Sequence, residues 1–186
     1  MKRLATFATA LAVAAACPVM PAQATNLGPD ESPAALLAAA VAVAEAREDA
    51  AALAARKMPL EPGAYWWAPD APESGPIEVV VSLEDQKAFV YRAGALIGVS
   101  TVSTGKDGKE TPPGIFPILE KRRTHFSRTY DNAPMPFMQR LDRWGIALHG
   151  GAIPGYRASR GCVRLPTAFA ARLFAMTDVG DKVVIG

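Results

Sequence analysis

The stretch IEVVVSLEDQKAFVYRAGALIGVSTVSTG, residues 77–105, alternates along the chain and is rich in β-branched side chains. A period of two carried by such residues fits a pleated, half-buried surface rather than a helix face. Turn residues at Glu84-Asp85-Gln86 and Arg92-Ala93-Gly94 divide it into three strands, so a meander is the frame on which the remainder must pack. Further on, Thr111, Pro112, Pro113 and Gly114 make a rigid turn into another short strand, and WGIALHGG returns to strand pattern. TAFAARLFAMT reads as a short helix with Phe169, Leu173 and Phe174 on its buried side, and DKVVIG closes the sheet. Residues 121–140, KRRTHFSRTYDNAPMPFMQR, are irregular and too long for a tight hairpin. Long loops on a rigid sheet commonly hold substrate contacts. The expectation is a mainly β domain over residues 75–186 with one or two short helices.

The N-terminal part follows other rules. Residues 1–24 open with Lys2 and Arg3, continue in an Ala/Leu/Val run and end in Ala22-Gln23-Ala24, the pattern of a cleaved secretory signal. Lipidation at Cys17 is the competing expectation, but Ala14 stands where a large aliphatic residue is usual. A retained anchor is disfavoured because the apolar run is short and meets Pro18 and Pro21, so no membrane span is expected in the mature chain. Residues 25–74 are expected to hold an Ala-rich helix and a Pro-rich linker. In the helix, Ser32 suits the N-cap, Pro33 the first turn and Lys57 the end before Pro59. Its apolar face is mostly alanine, and Leu36, Leu37, Val41 and Leu53 give it little to bury, which predicts a spacer or a loosely docked helix rather than core. Tyr65, Trp66 and Trp67 in the linker suit either a latch onto the neighbouring domain or a sugar-stacking platform.

Loss of the signal removes two of 20 basic residues and leaves 18 against 18 acidic ones, a net charge of zero. No nucleic-acid partner is expected on that balance. It also removes Cys17 and leaves Cys162 as the sole thiol. In an exporting, oxidising context a lone cysteine is an intermolecular linker, a buried passenger or a reactive nucleophile.

Three chemistries compete for the polar residues. Ser103-Thr104-Gly105-Lys106 matches the S-x-x-K pattern of serine enzymes, yet it ends a strand instead of opening a helix, and no S-D-N or K-T-G follows. His125, His149 and Cys162 could supply three zinc ligands, but they lack paired ligand spacing, and His125 sits beside Lys121, Arg122 and Arg123; no metal or other cofactor is expected. The third candidate is a cysteine nucleophile with a histidine base, Cys162 with His149 thirteen positions upstream. In an extended segment Arg160 and Arg164 would share the face of Cys162 and favour the thiolate, while Gly161 would leave the backbone bare for a substrate carbonyl. Gly150 and Gly151 let the chain turn after the histidine. A buried thiol beside a core histidine is the plain structural alternative.

At these residues the sequence resembles the L,D-transpeptidase catalytic domain (the YkuD domain). The signature of that family is a histidine-glycine followed, after a loop, by Ser-His-Gly-Cys-(Ile/Val)-Arg. Here it appears as His149-Gly150 and then Ser159-Arg160-Gly161-Cys162-Val163-Arg164-Leu165, with VSTGKDGKETPPGIF and the closing DKVVIG extending the likeness over residues 77–186. Arg160 departs from it, standing where the family usually has a second histidine. The resemblance implies a β-sandwich-like fold acting on peptidoglycan stem peptides. Cys162 would form a thioester at the third, diamino-acid residue with release of D-alanine, and an amine from another stem would resolve it as a 3→3 cross-link. Water as acceptor would make the enzyme an L,D-carboxypeptidase. It implies His149 as acid and base, oriented by the carbonyl of Gly150, and carbapenem β-lactams as covalent inhibitors. The N–H groups of Gly161 and Cys162 are the oxyanion candidates. Ser159, Arg160 and Tyr156 are expected to contact substrate, Arg164 to meet a substrate carboxylate or to form a structural ion pair, and Met135, Phe137 and Met138 to wall the cleft or belong to the core. The implied place of action is the periplasm or cell envelope. The rival of another class is a non-catalytic wall-binding module that uses Tyr65, Trp66, Trp67 and the basic 121–128 loop.

Overall fold

The computed structural model describes residues 28–55 and 60–186. The signal segment, Cys17 and the expected helix end at Lys57 lie outside them. Two sheets form the body. The six-stranded sheet runs β1 (Tyr65–Trp67), β4 (Ala95–Thr101), β3 (Lys87–Arg92), β2 (Ile77–Ser82), β10 (Lys182–Ile185), β5 (Gly114–Pro117). The meander expected from alternation is its β2–β3–β4 portion, antiparallel throughout. The closing strand β10 enters the interior of the sheet, parallel to β2 and antiparallel to β5.

The four-stranded sheet runs β6 (Glu120–Arg122), β7 (Met138–Arg140), β8 (Ala147–Gly150), β9 (Val163–Leu165), with β8 and β9 parallel. Helix α2 (Thr167–Met176) packs against β8. Between the sheets lies the main core, where Val79, Val81 and Phe116 meet Leu148, Val163 and Leu165, with Phe169 and Leu173 from α2. Side chains of this size contribute about 1.5–3 kcal/mol each when fully buried. Phe174, expected on the same side of the helix, is only half-buried and lies edge-on to Phe137 at 5.9 Å. The 121–140 stretch is not wholly irregular, because its ends form β6 and β7. Strands of three residues are too short to show a period.

The N-terminal helix departs from its expected role. Helix α1 (Pro33–Ala55) starts as expected, with the Ala35 N–H donating to Ser32 Oγ at 3.2 Å. It then covers the outer face of the six-stranded sheet, where Ala39, Val43 and Ala46 form a second core with Val80, Phe89, Val99 and Val184. Leu36, Leu37 and Val41 face outward instead. Small side chains let the helix backbone sit close to the sheet, and the sheet supplies the bulk, so a row of alanines is the docking face and not a sign of a spacer. Polar ties reinforce the seat: Tyr91 donates to Asp49 at 2.8 Å, and Arg47 pairs with Glu84 and Asp85.

The aromatic stretch is a latch. In β1, Trp66 turns to the outer core and Trp67 to the inner side, where it stacks on Phe169 at 4.3 Å and 17°. A Cβ at Gly98 would lie 2.4 Å from the Trp67 ring, so glycine is what admits it. Both tryptophans are thereby taken up in packing. Among the described residues, no helix is long and apolar enough to cross a membrane.

Candidate active site

Alternation in the small sheet decides which side chains meet. On β8, Leu148 enters the core, so Ala147 and His149 face the opposite way. On β9, Val163 and Leu165 enter the core, so Cys162, one step before the strand, and Arg164 share the outer side. The parallel register pairs Leu148 with Val163 and His149 with Arg164. Cys162, one residue before Val163, therefore falls level with Ala147 and diagonal to His149 on the neighbouring strand. Sulfur and imidazole both line a cleft of about 1530 Å³.

His149 is buried, and its Nδ1 lies 2.9 Å from the carbonyl oxygen of Gly150. A carbonyl only accepts, so Nδ1 carries the proton and Nε2 keeps its lone pair. Burial holds the pKa of the imidazole below the ordinary histidine value, and the charges of Arg164 and His125 add to this against the Gly150 hydrogen bond. The ring is thus neutral at pH 7 and ready to take a proton.

The thiol is not the thiolate expected from its arginine neighbours. Burial pushes Cys162 up to about 11, with Asp142 acting in the same direction; the Ala147 N–H and Arg164 pull the other way and do not prevail. Sγ sits 3.4 Å from the carbonyl oxygen of Gly145, which accepts the thiol proton. Arg160 gives the sulfur no help. Gly161 has φ +116°, which breaks the extended alternation, and the Arg160 guanidinium lies over the Tyr130 ring at 4.6 Å.

The loop before the cysteine is tied on both sides of Arg160. Ser159 Oγ accepts the Gly161 N–H at 3.1 Å and donates to the Cys162 carbonyl. Thr111 Oγ1 accepts the Gly105 N–H and donates to the Gly161 carbonyl, both at 2.8 Å. Ser159 is thus a brace for the loop, its side chain directed to the backbone. The Gly161 N–H is committed to it and does not serve as an oxyanion donor. Of the two expected donors, only the Cys162 N–H stays a candidate.

The remaining expected residues divide. Met135 and Met138 wall the cleft and pack against Cys162. Phe137 and Tyr156 lie outside the lining. Phe137 is turned toward α2 from a left-handed backbone (φ +57°), and Tyr156 is exposed while its carbonyl accepts Ser103 Oγ at 2.7 Å. That bond, with the Ala158 N–H donating to Ser103 at 3.1 Å, makes Ser103 a buried brace and not a nucleophile. Gly150 sits against Pro136 and Thr167, where a Cβ would be 3.2 Å from each.

One contributor was not expected. Asp142 is buried, and a single oxygen, Oδ1, accepts the N–H groups of Trp144, Gly145 and Ile146 at 2.9, 2.7 and 2.8 Å. This turn aims the Gly145 carbonyl at the sulfur. Asp followed three residues later by Gly, in LDRWG, is the sequence signal for it.

The family model described as the L,D-transpeptidase catalytic domain matches residues 76–185. Among solved structures, the chain is 30% identical to an L,D-transpeptidase (Yku) from Stackebrandtia nassauensis, over 63% of this chain and 58% of that one, with a TM-score of 0.56. An L,D-transpeptidase from Xylanimonas cellulosilytica is 27% identical over 64% and 65%, at 0.55. L,D-transpeptidase 3 from Mycobacterium tuberculosis, in complex with a faropenem-derived adduct, shares the fold at 21% identity, with 60% of each chain covered and a TM-score of 0.55. The matches span less than two thirds of these relatives' own length. No curated protein matches the chain.

Proposed function

Because the chain belongs to the L,D-transpeptidase catalytic domain family, we propose that it is an exported cysteine acyltransferase that acts on peptidoglycan stem peptides, with Cys162 as nucleophile and His149 as base. The observation that carries this is the shared cleft: a thiol and a neutral imidazole on one face of the small sheet, the imidazole fixed with Nε2 free to accept.

Both groups rest neutral, so the nucleophile is generated as it attacks. The S–H proton passes to Nε2 while sulfur adds to the donor carbonyl carbon, and the Cys162 N–H faces the oxygen on which charge develops. Collapse breaks the C–N bond. The leaving D-alanine amine takes the proton from the imidazolium, and a thioester remains. An incoming amine then gives its proton to His149 as it adds to the thioester carbonyl, and the departing sulfur recovers that proton. Resting neutrality suits this cycle, since the thiol is protonated both before and after it.

The faropenem-derived adduct on a relative of the same fold supports β-lactams as covalent probes of this site. The test is intact-mass measurement after exposure to a carbapenem. The native chain is expected to gain one adduct and Cys162→Ala none; equal labelling of both would overturn the assignment. Incubation with isolated muropeptides identifies the acceptor, as cross-linked dimers for an amine or trimmed tripeptides for water.

A further inference from the structure

Seven cationic side chains line the cleft against one carboxylate. That carboxylate, Glu120, is already paired with Arg122 and Arg140. The other five, Lys106, Arg128, Arg143, Arg160 and Arg164, have no ion pair among the described residues. The whole chain carries a net charge of only +2, so the imbalance of charge at this cavity is local. Five uncompensated cations around one cavity repel each other and raise the local concentration of anions.

Two of the five flank the sulfur in sequence. Arg164 is half-buried on the cysteine's face of β9, and its stem runs along Gly151, where a Cβ would be 3.3 Å from Cδ. Arg160, two residues before the sulfur, is exposed and lines the same cleft. The Tyr130 ring supports its guanidinium without neutralising it, which leaves a fixed, planar set of N–H donors. Such a fork matches a carboxylate and has far less to offer a neutral amide.

We propose that this cleft selects acyl donors whose acylated residue bears a free side-chain carboxylate, gripped by Arg160 with Arg164, and discriminates against the same donors with that group amidated. The proposal rests on acyl transfer at Cys162 and names the charge state of the donor.

Binding to the full chain carrying Cys162→Ala tests it without turnover. The ligands are a synthetic tetrapeptide whose third side chain ends in a carboxylate and the same peptide with that carboxylate as primary amide, each titrated by calorimetry. The carboxylate form is expected to bind about tenfold tighter at low salt and to lose most of that advantage at about 0.5 M salt. Adding Arg160→Gln is expected to bring the ratio below about threefold, and Arg160→Lys to fall between, since an ammonium keeps the charge without the fork. Equal affinities in the Cys162→Ala chain, no binding of either peptide at millimolar concentration, or a ratio unmoved by both Arg160→Gln and Arg164→Gln would overturn the proposal. Carbapenem labelling of the native thiol reads the acyl-transfer assignment separately, so either can fail alone.

Discussion

The Nδ1–H of His149 donates to the carbonyl of Gly150, its own neighbour in the chain, across 2.9 Å. A bond so local fixes the tautomer by backbone geometry alone, with no carboxylate to stabilise an imidazolium. That bond by itself favours the protonated ring, but burial opposes the charge and prevails, with Arg164 acting in the same direction as burial.

The pH dependence of acylation follows from that relation. His149 must be neutral to accept the thiol proton, and its pKa lies below the ordinary histidine value of about 6.5. Carbapenem acylation is expected to climb from acid pH, reach a plateau before pH 7 and stay flat beyond pH 9, because the thiol does not ionise until about 11. His149→Ala is expected to slow the step by about 10²–10⁴ and to erase the acid limb. Stopped-flow kinetics across the pH range checks this; an acid limb that survives in His149→Ala would assign it to another group.

The thiol offers a probe that needs no substrate. Iodoacetamide reacts with the thiolate, so the labelling rate of the folded chain should rise with pH toward a midpoint near 11. Asp142→Asn keeps an acceptor for the three N–H groups and removes the charge that helps push the thiol up. Faster labelling at pH 9 is expected in that variant, with the midpoint still above that of an ordinary thiol because burial is the larger cause. Asp142→Ala also strips the acceptor, at a cost of about 1–3 kcal/mol in denaturant unfolding. No change in labelling rate in Asp142→Asn would remove the carboxylate from the electrostatics of the sulfur.

Gly161 holds φ +116°, and a Cβ there would meet Ile146 Cδ1 at 2.8 Å. The Ile146 terminus can move, but the backbone cannot take up this conformation with a side chain at low cost. Gly161→Ala is expected to destabilise the fold by about 1–3 kcal/mol. Acylation should fall more steeply than that loss implies, since the loop also sets the Cys162 carbonyl and N–H. Unfolding curves beside acylation rates separate the two effects, and wild-type values for both would show the conformation to be inessential.

The frame of the molecule was legible where a period repeats. Residues 77–101 announce β2, β3 and β4 by alternation and turn residues, and α1 is marked at its start by Ser32-Pro33. What alternation cannot carry is the fate of three-residue strands, and β6 and β7 passed for loop on that account. In the site, Cys162 and His149 stand out by rarity and by their glycine neighbours, yet the commitment of the Gly161 N–H to Ser159 is visible only once the turn closes on itself. The thiol's protonation was misjudged for a related reason. Charge can be counted along a chain, but burial belongs to the assembled fold, and here burial outweighs Arg164.

Helix α1 supplies the last test, because its role was also set by packing that no propensity records. Ala46 is fully buried between the helix and the Val80, Phe89, Val99 and Val184 surface. A spacer would accept leucine there, a better filler of an apolar face. A close-packed seam would not, since three added carbons must displace the helix from the sheet, at a cost of about 1–3 kcal/mol. Ala46→Leu is accordingly expected to lower Tm by several degrees. Leu37→Ala, on the exposed side, is expected to leave it unchanged. The cleft lies on the four-stranded sheet, away from this face, so carbapenem acylation of the folded Ala46→Leu chain should match the native rate. An unshifted Tm would return α1 to the role of a tether; a slowed acylation rate would mean that the outer seam and the cleft are mechanically joined through β2 and β10.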